Sequence, residues 1–470
     1  MDYSYCYGGI FNHNSEDSMM VKPTYNLSTS IVVLGGGESG VGAAILAATK
    51  GYSVFVSDAS MIKARFKEEL HHYDIPYEEG GHDLSRIQSA DLIIKSPGIP
   101  NHIPVLVDAR ERGQKVISEL EWAWLFHRGK VIAVTGSNGK TTTVNWIFDM
   151  VQRAGISSAL VGNVGTSYAR CVAEQDVDCF IVEVSSFQLD DIDAFRPDVA
   201  VILNITPDHL DRYNGSMEFY SQSKWRITKN QQPEDILILS ADDQPIAQLL
   251  EEEGSRAMIQ QFSIQQTACS AFVKDGELHF NFSTNPITIA MNDLILKGNH
   301  NVYNSLAAGM AARALEVTNP SIRESLECFD GLPHRMERVL RIGGRSFIND
   351  SKATNVNSTW YALEAMTTDV VWIAGGVDKG NDYSILEGLV HKKVKSLVCI
   401  GADNRKLHEA FAKHVGICIN VSSMAEAVQV SYQFSDPGDS VILSPACASF
   451  DRFSNYEDRG DQFKQAVREL

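Results

Sequence analysis

A glycine-rich segment that ends in a lysine and three threonines is the strongest chemical signal in the sequence. The apolar run 131–134 leads into Thr135-Gly136-Ser137-Asn138-Gly139-Lys140-Thr141-Thr142-Thr143 and then into a stretch compatible with a helix. Glycines let backbone amides curl around phosphates, and a helix N-terminus adds partial positive charge. Lys140 can reach the β- and γ-phosphates, and the Thr141 hydroxyl suits Mg²⁺. The segment therefore predicts a phosphate site, although Val134 stands where the usual pattern has its first glycine.

Three further polar side chains lie at or after the ends of predicted strands. Glu183 ends the run 180–182, and a carboxylate at a strand end beside a phosphate loop can hold Mg²⁺. His209 follows the run 199–203, and Lys224 comes later in the same region. Considered alone, each residue has a simpler interpretation: Glu183 as a solvated acid, His209 as a structural histidine and Lys224 as a surface lysine. Their catalytic interpretation depends on the context of the phosphate loop.

A second glycine-rich turn lies near the start of the chain. The segment Gly35-Gly36-Gly37-Glu38-Ser39-Gly40 fits the pattern G-x-G-x-x-G after a strand-like run, and Asp58 ends the next run. This pattern is typical of NAD sites. The same turn and helix N-terminus can hold the diphosphate of another nucleotide. The motif alone leaves both ligands open.

Short β-branched runs alternate with helix-like segments from residue 31 onward. This alternation predicts α/β domains with largely parallel, doubly wound sheets, which bind ligands beyond the carboxyl ends of their strands. Three strand-turn-helix beginnings predict three domains, at 29–118, 119–331 and 332–470. Residues 1–28 are polar, lack a signal-peptide pattern and predict a disordered extension in which Met19 or Met20 is an alternative start.

The bulk composition excludes several classes of function. The net charge of −18 argues against wholesale binding of nucleic acid or anionic membranes. No apolar run approaches the ~20 residues that cross a bilayer. The eight cysteines are scattered without a CxxC pair. They indicate a reduced cytosolic protein and favour neither a disulfide framework nor a zinc site.

The ordered motifs from residue 31 to 470 resemble the Mur ligase family, and within it the members that add D-glutamate. In the first half the matching segments are Ser96-Pro97-Gly98-Ile99, the loop 135–143, Gly162-Asn163-Val164-Gly165, 183–189 and 204–213. In the second half they are Gly298-Asn299-His300-Asn301 with Asn304, 331–335, 349–355, Gly375-Gly376-Val377-Asp378-Lys379-Gly380 and 443–451. The last three segments carry the resemblance to the D-glutamate members.

The resemblance implies a fold and a set of metal ligands. The expected domains are a Rossmann-like domain that binds a UDP substrate, a P-loop ATPase-like central domain and a Rossmann-like C-terminal domain that binds the amino acid. Thr141 and Glu183 resemble ligands of a Mg²⁺ that bridges ATP phosphates. His209 and Lys224 resemble the pair at a second Mg²⁺, where the lysine carries a carbamate. A carbamate offers the anionic oxygen that a hard metal prefers.

The resemblance also assigns residues to three substrates. The residues implied for the UDP substrate are Glu38, Ser39, Asp58, Ser96, Gly98 and Asn163. Those implied for ATP are Gly136, Ser137, Asn138, Gly139, Lys140, Thr141, Thr142, Asn301, Arg335 and Asp350. Those implied for D-glutamate are Thr354, Lys379, Ser449, Phe450 and Tyr456, although the best-known members have Phe at the last position. A dicarboxylate substrate needs a cation and hydroxyl donors, which this third set supplies.

The implied function is a cytoplasmic ligase of peptidoglycan synthesis, on which cell shape and division depend. ATP would convert the carboxylate of UDP-N-acetylmuramoyl-L-alanine into an acyl phosphate, which the amine of D-glutamate attacks, with Lys140, Glu183, His209 and Lys224 as the catalytic group. We expect a monomer with two Mg²⁺ ions, no nucleic acid and no membrane insertion. The alternatives are a sister Mur ligase, a folylpolyglutamate-type ligase, an NAD(P)-dependent oxidoreductase, or a catalytically inactive binding protein.

Overall fold

The computed structural model describes residues 25–163, 165–282, 285–329, 333–378 and 380–470. The chain forms two compact units. The first comprises the residues up to Leu294 together with Tyr303–Glu327, and the second comprises Ile295–Val302 and Cys328–Leu470. The first unit contains two α/β sheets and the second contains one. The predicted fold class, three α/β domains with largely parallel sheets, is confirmed.

The first sheet has five parallel strands in the order β3-β2-β1-β4-β5. Its inner strands read as continuous apolar runs because helices cover both faces. The strands are β1 (Ser30–Leu34), β2 (Ser53–Asp58), β3 (Tyr77–Glu79), β4 (Leu92–Lys95) and β5 (Lys115–Ser118). The helices are α1 (Glu38–Thr49), α2 (Ala64–His72), α3 (Leu84–Gln88), α4 (Pro104–Glu111) and α5 (Glu119–Phe126).

Ordered structure begins before residue 29, the predicted start of the first domain. The Tyr52 hydroxyl donates a hydrogen bond of 2.9 Å to the Tyr25 carbonyl oxygen. The Tyr25 ring lies 6.0 Å from the ring of Trp122, which is fully buried. The predicted disordered extension therefore overlaps a packed segment at residue 25, while its part from 1 to 24 lies outside the described residues.

The second sheet has nine strands in the order β14-β13-β12-β11-β10-β9-β6-β8-β7. In this sheet β13 pairs in antiparallel fashion with both β12 and β14, and the other neighbouring strands are parallel. The strands are β6 (Lys130–Thr135), β7 (Ser158–Gly162), β8 (Cys179–Glu183), β9 (Val199–Ile202), β10 (Ile236–Ser240), β11 (Met258–Ser263), β12 (Ala271–Lys274), β13 (Glu277–Phe280) and β14 (Ile287–Ala290). The helices that follow β6 are α6 (Lys140–Arg153), α7 (Tyr168–Glu174), α8 (Ser186–Leu189), α9 (Met217–Trp225), α10 (Gln244–Glu253), α11 (Asn299–Ala314) and α12 (Asn319–Cys328).

The third sheet belongs to the second unit and has six strands in the order β15-β16-β20-β17-β18-β19. Only β15 pairs with its neighbour in antiparallel fashion. The strands are β15 (Glu337–Ile342), β16 (Arg345–Asn349), β17 (Val370–Ala374), β18 (Val394–Cys399), β19 (Ile417–Asn420) and β20 (Ser440–Leu443). The helices are α13 (Val356–Glu364), α14 (Glu387–Lys393), α15 (Arg405–Phe411), α16 (Met424–Phe434) and α17 (Tyr456–Arg468).

The carboxyl ends of neighbouring parallel strands meet at one edge of each sheet, where ligands bind in such folds. In the second sheet, β6 lies between β8 and β9, so the phosphate loop and Glu183 share this edge. In the first sheet, the edge brings together the loops that follow β1, β2 and β4. Within the described part of the chain, no helix is both long and apolar enough to span a bilayer.

Candidate active site

The phosphate loop connects β6 to α6 and depends on two glycines. Gly136 and Gly139 have φ angles of 152° and 87°, a region that residues with a side chain rarely adopt. A Cβ on Gly139 would lie 2.3 Å from Oδ1 of Asn304, which packs against the loop. Helix α6 then begins at Lys140, so the amides of its first turn face the loop. The local geometry is that of a phosphate cradle.

The segment that follows β9 holds the loop in place. The Ser137 amide donates to the Asn204 carbonyl oxygen at 2.9 Å, and the Asn138 amide donates to Asn204 Oδ1 at the same distance. The Ser137 hydroxyl donates to the Thr206 carbonyl oxygen at 2.8 Å. The segment after β9 thus holds the cradle in place through backbone and side-chain hydrogen bonds.

Two lysine side chains meet on the backbone of the phosphate loop. Lys140 Nζ donates to the carbonyl oxygens of Gly136 and Ser137, at 2.7 and 2.9 Å. Lys224 Nζ, carried by α9, donates to the same Gly136 oxygen at 3.0 Å. Lys224 is only 2% exposed, so its interpretation as a surface lysine is wrong. Burial, together with the nearby positive charge of Lys140, holds the pKa of Lys224 well below its ordinary value.

Glu183 presents an unsatisfied carboxylate oxygen beside the loop. It ends β8 in register with Val134 of β6 and is 3% exposed, so the alternative of a solvated acid is wrong. Its Oε1 accepts a hydrogen bond of 3.2 Å from Asn163 Nδ2. Its Oε2 is buried and has no hydrogen-bond partner among the residues that the structure describes. A buried carboxylate oxygen without a partner is costly, and a cation would satisfy it.

His209 lies at the rim of this site. It adopts a left-handed backbone conformation, with φ of 52°, and its side chain is 41% exposed. Its ring packs edge-on against Phe187, with the centroids 5.3 Å apart, and its Nε2 lies 3.7 Å from Asp208 Oδ2. This exposed position leaves the imidazole accessible to a ligand.

A cavity of about 250 Å³ lies beside Phe187, and its lining includes Arg212, a residue that motif analysis missed. The Arg212 guanidinium lies 4.3 Å from the centre of the Phe187 ring and donates to the carbonyl oxygens of Gly98 and Ile99, both at 3.3 Å. It thus reaches the segment that the sequence assigned to the UDP substrate. The lining residues are Asn101, His102, Phe187, Asp190, Arg212 and Asn214.

The residues predicted for the UDP substrate fall into two groups. Asp58 Oδ2 accepts a hydrogen bond of 2.6 Å from the Gly36 amide, and a Cβ on Gly35 would lie 2.6 Å from Ser96 Oγ. Asp58 and Ser96 therefore share the edge of the first sheet, where Ser39 lies in the first turn of α1 and Gly98 lies in the loop after β4. Glu38 instead pairs with Arg170 at 2.8 Å.

Asn163, the remaining prediction for the UDP substrate, contacts Glu183 at the phosphate loop. The loop that Asn163 begins also reaches the first sheet, because the Ser167 amide donates to Glu38 Oε1 at 3.2 Å. The assignment of Asn163 to the UDP substrate stays a prediction.

In the second unit, Asp350 is buried where β16 ends. It is 5% exposed and accepts hydrogen bonds from the Ser444 hydroxyl at 2.8 Å and the Met336 amide at 3.2 Å. Burial raises the pKa of Asp350 from 3.8 to about 7, against the lowering influence of the Ser444 bond and of the Arg335 charge. Arg335 and Asp350, both predicted to face ATP, are thus electrostatically coupled. Asn301 donates to the Lys297 carbonyl oxygen at 2.9 Å.

Arg459 joins three loops of the second unit and was not predicted. The side chain is 0% exposed, and burial lowers its pKa to about 10. Its guanidinium donates to the Ser351 hydroxyl at 3.0 Å and to the carbonyl oxygens of Ser351, Cys447 and Gly375, at 2.8, 3.1 and 3.4 Å. An arginine on an amphipathic helix normally indicates a solvated face, so the sequence offered no signal for this role.

These loops carry the residues predicted for D-glutamate. Val377 and Ala448 form a β-bridge, in which the Val377 amide donates to the Ala448 carbonyl oxygen at 2.8 Å. Ser449 follows the bridge and is buried, whereas Phe450 is 73% exposed. Ser351 Oγ donates to the Tyr456 carbonyl oxygen at 2.8 Å, which ties Tyr456 to the turn that carries Thr354. Lys379, the predicted cation of this group, lies outside the described residues.

Comparison with known proteins decides the family. Three models match in order: "Mur ligase MurD-like, N-terminal domain" at residues 29–118, "Mur ligase middle domain" at 134–312, and "Mur ligase, glutamate ligase domain" at 334–447. A UDP-N-acetylmuramoylalanine--D-glutamate ligase of Christiangramia forsetii is 48% identical over 445 residues, which cover 94% of this chain and 100% of the relative. The chain belongs to the Mur ligase family. Mur ligases are ATP-dependent enzymes that form amide bonds, and this chain is one of them.

Further similarities agree with the assignment to the Mur ligases. A relative in Bacteroides fragilis with the same protein name is 49% identical, and the match covers 94% of this chain and 99% of the relative. The solved MurF ligase of Thermotoga maritima in complex with ADP has a TM-score of 0.60 at 16% identity, covering 95% of this chain and all of that one. This likeness supports the fold alone. The family predicted from the motifs is confirmed, and the oxidoreductase alternative is not favoured.

Proposed function

We propose that this Mur ligase joins D-glutamate to UDP-N-acetylmuramoyl-L-alanine with hydrolysis of ATP to ADP and phosphate, as a step of peptidoglycan synthesis. The observation that carries the choice of substrates is the 48% identity over 94% of the chain to a relative of that name. The observation that carries the chemistry is the preorganised phosphate loop with Lys140, Lys224 and the unsatisfied Glu183 oxygen around it.

The donor atoms around the loop fit divalent magnesium. The buried Oε2 of Glu183 lacks a hydrogen-bond partner in the described part of the chain, and Thr141 lies in the first turn of α6. These are hard oxygen donors of the kind that Mg²⁺ prefers. We assign Thr141 and Glu183 to one ion, and His209 with a carbamylated Lys224 to a second. When bound, Mg²⁺ neutralises charge on the transferring phosphoryl group.

Lys224 is suited to carry the carbamate. Its low pKa favours the neutral amine, and the neutral amine is the form that attacks carbon dioxide. The nitrogen lone pair forms the N–C bond, one C=O electron pair moves to oxygen, and the amine proton leaves to solvent. The product places an anion beside the ammonium group of Lys140. The two groups then form a favourable charge pair.

The ligation then proceeds in two displacements. A carboxylate oxygen of the UDP substrate attacks the γ-phosphorus, and ADP leaves with the bonding pair. The amine of D-glutamate attacks the resulting acyl carbon, the tetrahedral intermediate collapses, and phosphate leaves while the ammonium proton passes to a base. Lys140 stabilises charge on the phosphoryl oxygens, because phosphoryl transfer depends mainly on positioning and charge neutralisation.

The substrates occupy the edges of the sheets in this proposal. The turn at 35–40, with Ser39, Asp58, Ser96 and Gly98, holds the uridine diphosphate. Arg212 at the neighbouring cavity supplies a cation for an anionic group of the same substrate. Glu38 and Asn163 complete this set; Glu38 also pairs with Arg170, and Asn163 also contacts Glu183.

The remaining assignments concern ATP and the amino acid. Residues 136–142 hold the ATP phosphates, and Asn301, Arg335 and Asp350 face the nucleotide. D-Glutamate lies between the turn of Thr354 and the segment of Ser449 and Phe450, with Lys379 and Tyr456 as further contacts. The cation of Lys379 would pair with a substrate carboxylate.

Two further assignments concern the cellular compartment and the oligomeric state of the enzyme. All seven cysteines in the described ranges are free thiols, which accords with a reducing compartment. ATP is a cytosolic substrate, so we place the enzyme in the cytoplasm. A single chain carries all the residues assigned to the three substrates, so we propose that the monomer is active.

The test is release of inorganic phosphate from ATP in the presence of UDP-N-acetylmuramoyl-L-alanine and single amino acids. We expect phosphate release that depends on D-glutamate and is absent with L-glutamate, L-alanine, L-lysine and meso-diaminopimelate. The matched control is Lys140→Ala, which should remain folded and inactive. Turnover with another amino acid in place of D-glutamate would assign the chain to a sister activity and contradict the proposal.

A further inference from the structure

Two cysteines and a histidine from three different elements converge in the second unit. Cys399 ends β18, Cys418 lies on the edge strand β19, and His408 lies on α15, which connects the two strands. Their Sγ and ring nitrogen atoms all lie within 4.8 Å of one another. Cys399 is fully buried, while His408 and Cys418 are half-buried, so the cluster is reachable from solvent.

The sheet register places the two thiols on one face. Leu397 pairs with Cys418 and Cys399 pairs with Asn420 in the parallel ladder. Residues two apart on a strand point to the same face, so Cys399, Cys418 and Asn420 share it. Helix α15 packs over this face through Leu407 and places the His408 ring beside the Cys418 thiol.

The distances match those between ligands of one tetrahedral ion. Zinc lies about 2.3 Å from sulfur and about 2.0 Å from nitrogen, so two of its ligand atoms lie roughly 3.5 to 3.8 Å apart. The Cys418 Sγ lies 3.4 Å from His408 Nδ1. Thiolate and imidazole donors together favour zinc over the hard ions magnesium and calcium.

A second hydrogen bond defines the tautomer of the His408 imidazole. His408 Nε2 lies 3.0 Å from Asn420 Oδ1, an atom that can only accept, so Nε2 carries the proton. Nδ1 is therefore the unprotonated nitrogen, and the Cys418 Sγ lies 3.4 Å from it and 3.9 Å from Nε2, so the ring has to turn to direct this lone pair at a shared ion. Asn420 Oδ1 is itself held by Asn404 Nδ2 at 2.9 Å. Histidine ligands of metals typically donate their other N–H to such an oxygen.

We propose that Cys399, His408 and Cys418 form a zinc site, with water as the fourth ligand on the half-exposed side. The site shares no residue with those assigned to ATP and D-glutamate and does not depend on the proposed function. Binding joins three ligands to the ion and releases the two thiol protons to solvent. The ion connects the edge strand β19 to β18 and α15, which otherwise meet through side-chain packing and backbone hydrogen bonds.

The test is a titration of the reduced full-length protein with Co²⁺, followed by displacement with Zn²⁺. We expect a thiolate-to-cobalt absorption band that saturates at one equivalent and disappears when Zn²⁺ is added. Cys418→Ser should lose most of the band, and His408→Ala should bind Zn²⁺ at least ~10-fold more weakly. Asn420→Ala, at an exposed strand end, should weaken binding about 10-fold while retaining the band.

The matched control is Cys328→Ser, which removes an exposed thiol outside the cluster and should leave the titration unchanged. Circular dichroism checks that each variant is folded, and Asn420→Ala carries the test if a cysteine variant is not. Cobalt binding without a thiolate band would overturn the proposal. A full band in both Cys418→Ser and His408→Ala, or a reduced protein that takes up no metal, would overturn it as well.

Discussion

Lys140 and Lys224 donate to one backbone oxygen, the carbonyl of Gly136, at 2.7 and 3.0 Å. Two ammonium groups at one acceptor repel each other, and Lys224 is buried as well. Of the two lysines, Lys224 is therefore the one whose charge we expect to change. A carbamate on Lys224 would remove the repulsion and provide a metal ligand, whereas Lys140 would keep its charge for the phosphates.

This relationship predicts the behaviour of Lys224 variants. Lys224→Ala should be nearly inactive, and short acids such as acetate or formate should partly restore activity by occupying the vacated space. Lys224→Arg keeps the positive charge but cannot form a carbamate, so it should stay impaired. Steady-state phosphate release compares wild type with these two variants.

A spectroscopic measurement separates the carbamate from a general need for lysine. Nuclear magnetic resonance of the protein in isotope-labelled bicarbonate should show one carbamate carbonyl signal in wild type and none in Lys224→Arg. Full activity of Lys224→Arg, or a wild-type enzyme that turns over normally in labelled bicarbonate but shows no carbamate signal, would refute the role.

Glu183 should matter for catalysis and not for stability. Glu183→Gln keeps an oxygen for Asn163 but removes the charge beside the phosphate loop. We expect at least ~100-fold loss of ligation, as for other positioned electrostatic groups. Because a buried unsatisfied oxygen is costly, the free energy of unfolding should stay within about 1 kcal/mol of wild type or increase. Urea unfolding and phosphate release give the two values. A marked loss of stability with normal activity would assign Glu183 a structural role instead.

The buried Glu119 should make the free energy of unfolding of the first unit depend on pH. It is 1% exposed and accepts a hydrogen bond of 2.6 Å from the Ala169 amide, and burial raises its pKa from 4.5 to about 7. The folded state therefore binds the proton more tightly than the unfolded state. Its stabilising contribution is complete below pH 4.5 and is lost as the pH rises through about 7.

The measurement is the difference in unfolding free energy between wild type and Glu119→Gln across this pH range. The amide does not titrate, so the variant should gain on wild type by about 1 to 3 kcal/mol between about pH 5 and about pH 8. Since both proteins share all other titrating groups, those contributions cancel. A difference that is independent of pH would show that Glu119 does not titrate as expected.

The contacts of Tyr25 indicate that the segment just before β1 contributes to the stability of the fold. A shortened chain that begins at Thr24 keeps Tyr25 and is the reference for unfolding free energy. One that begins at Ser28 loses the acceptor for the Tyr52 hydroxyl and the ring beside Trp122. We expect a loss of about 1 to 3 kcal/mol. Tyr25→Ala keeps the backbone acceptor and should lie between the two. Equal stability of both shortened chains would contradict the packing of Tyr25.

Features that lie in one contiguous segment could be predicted from the sequence. The phosphate loop is local, since its glycines, its lysine and the flanking strand and helix are adjacent along the chain. The position of Glu183 at a strand end was also predictable, because the strand run precedes it directly. The three-domain α/β fold followed from the alternation of runs and helices, and it is confirmed together with the family.

Features that depend on long-range packing could not be predicted. The burial of Lys224 arises because α9 places it on the loop oxygen of Gly136, far away in sequence. Arg459 looks like a surface residue of α17 until three loops converge on it. The cluster of Cys399, His408 and Cys418 has no CxxC spacing, so the sequence analysis favoured no zinc site. The domain boundaries and the assignments of single residues to substrates remain predictions.

The central claim is ligation of D-glutamate through an acyl phosphate, and the fate of the substrate oxygens tests it most directly. UDP-N-acetylmuramoyl-L-alanine that carries a heavy isotope at both oxygens of its carboxylate is incubated with ATP, D-glutamate and enzyme. Mass spectrometry then measures the isotope in the amide product and in the inorganic phosphate. The account predicts that each D-glutamate joined transfers one labelled oxygen to inorganic phosphate and leaves one in the amide. Absence of a D-glutamate amide product, or release of unlabelled phosphate alongside it, would contradict the account.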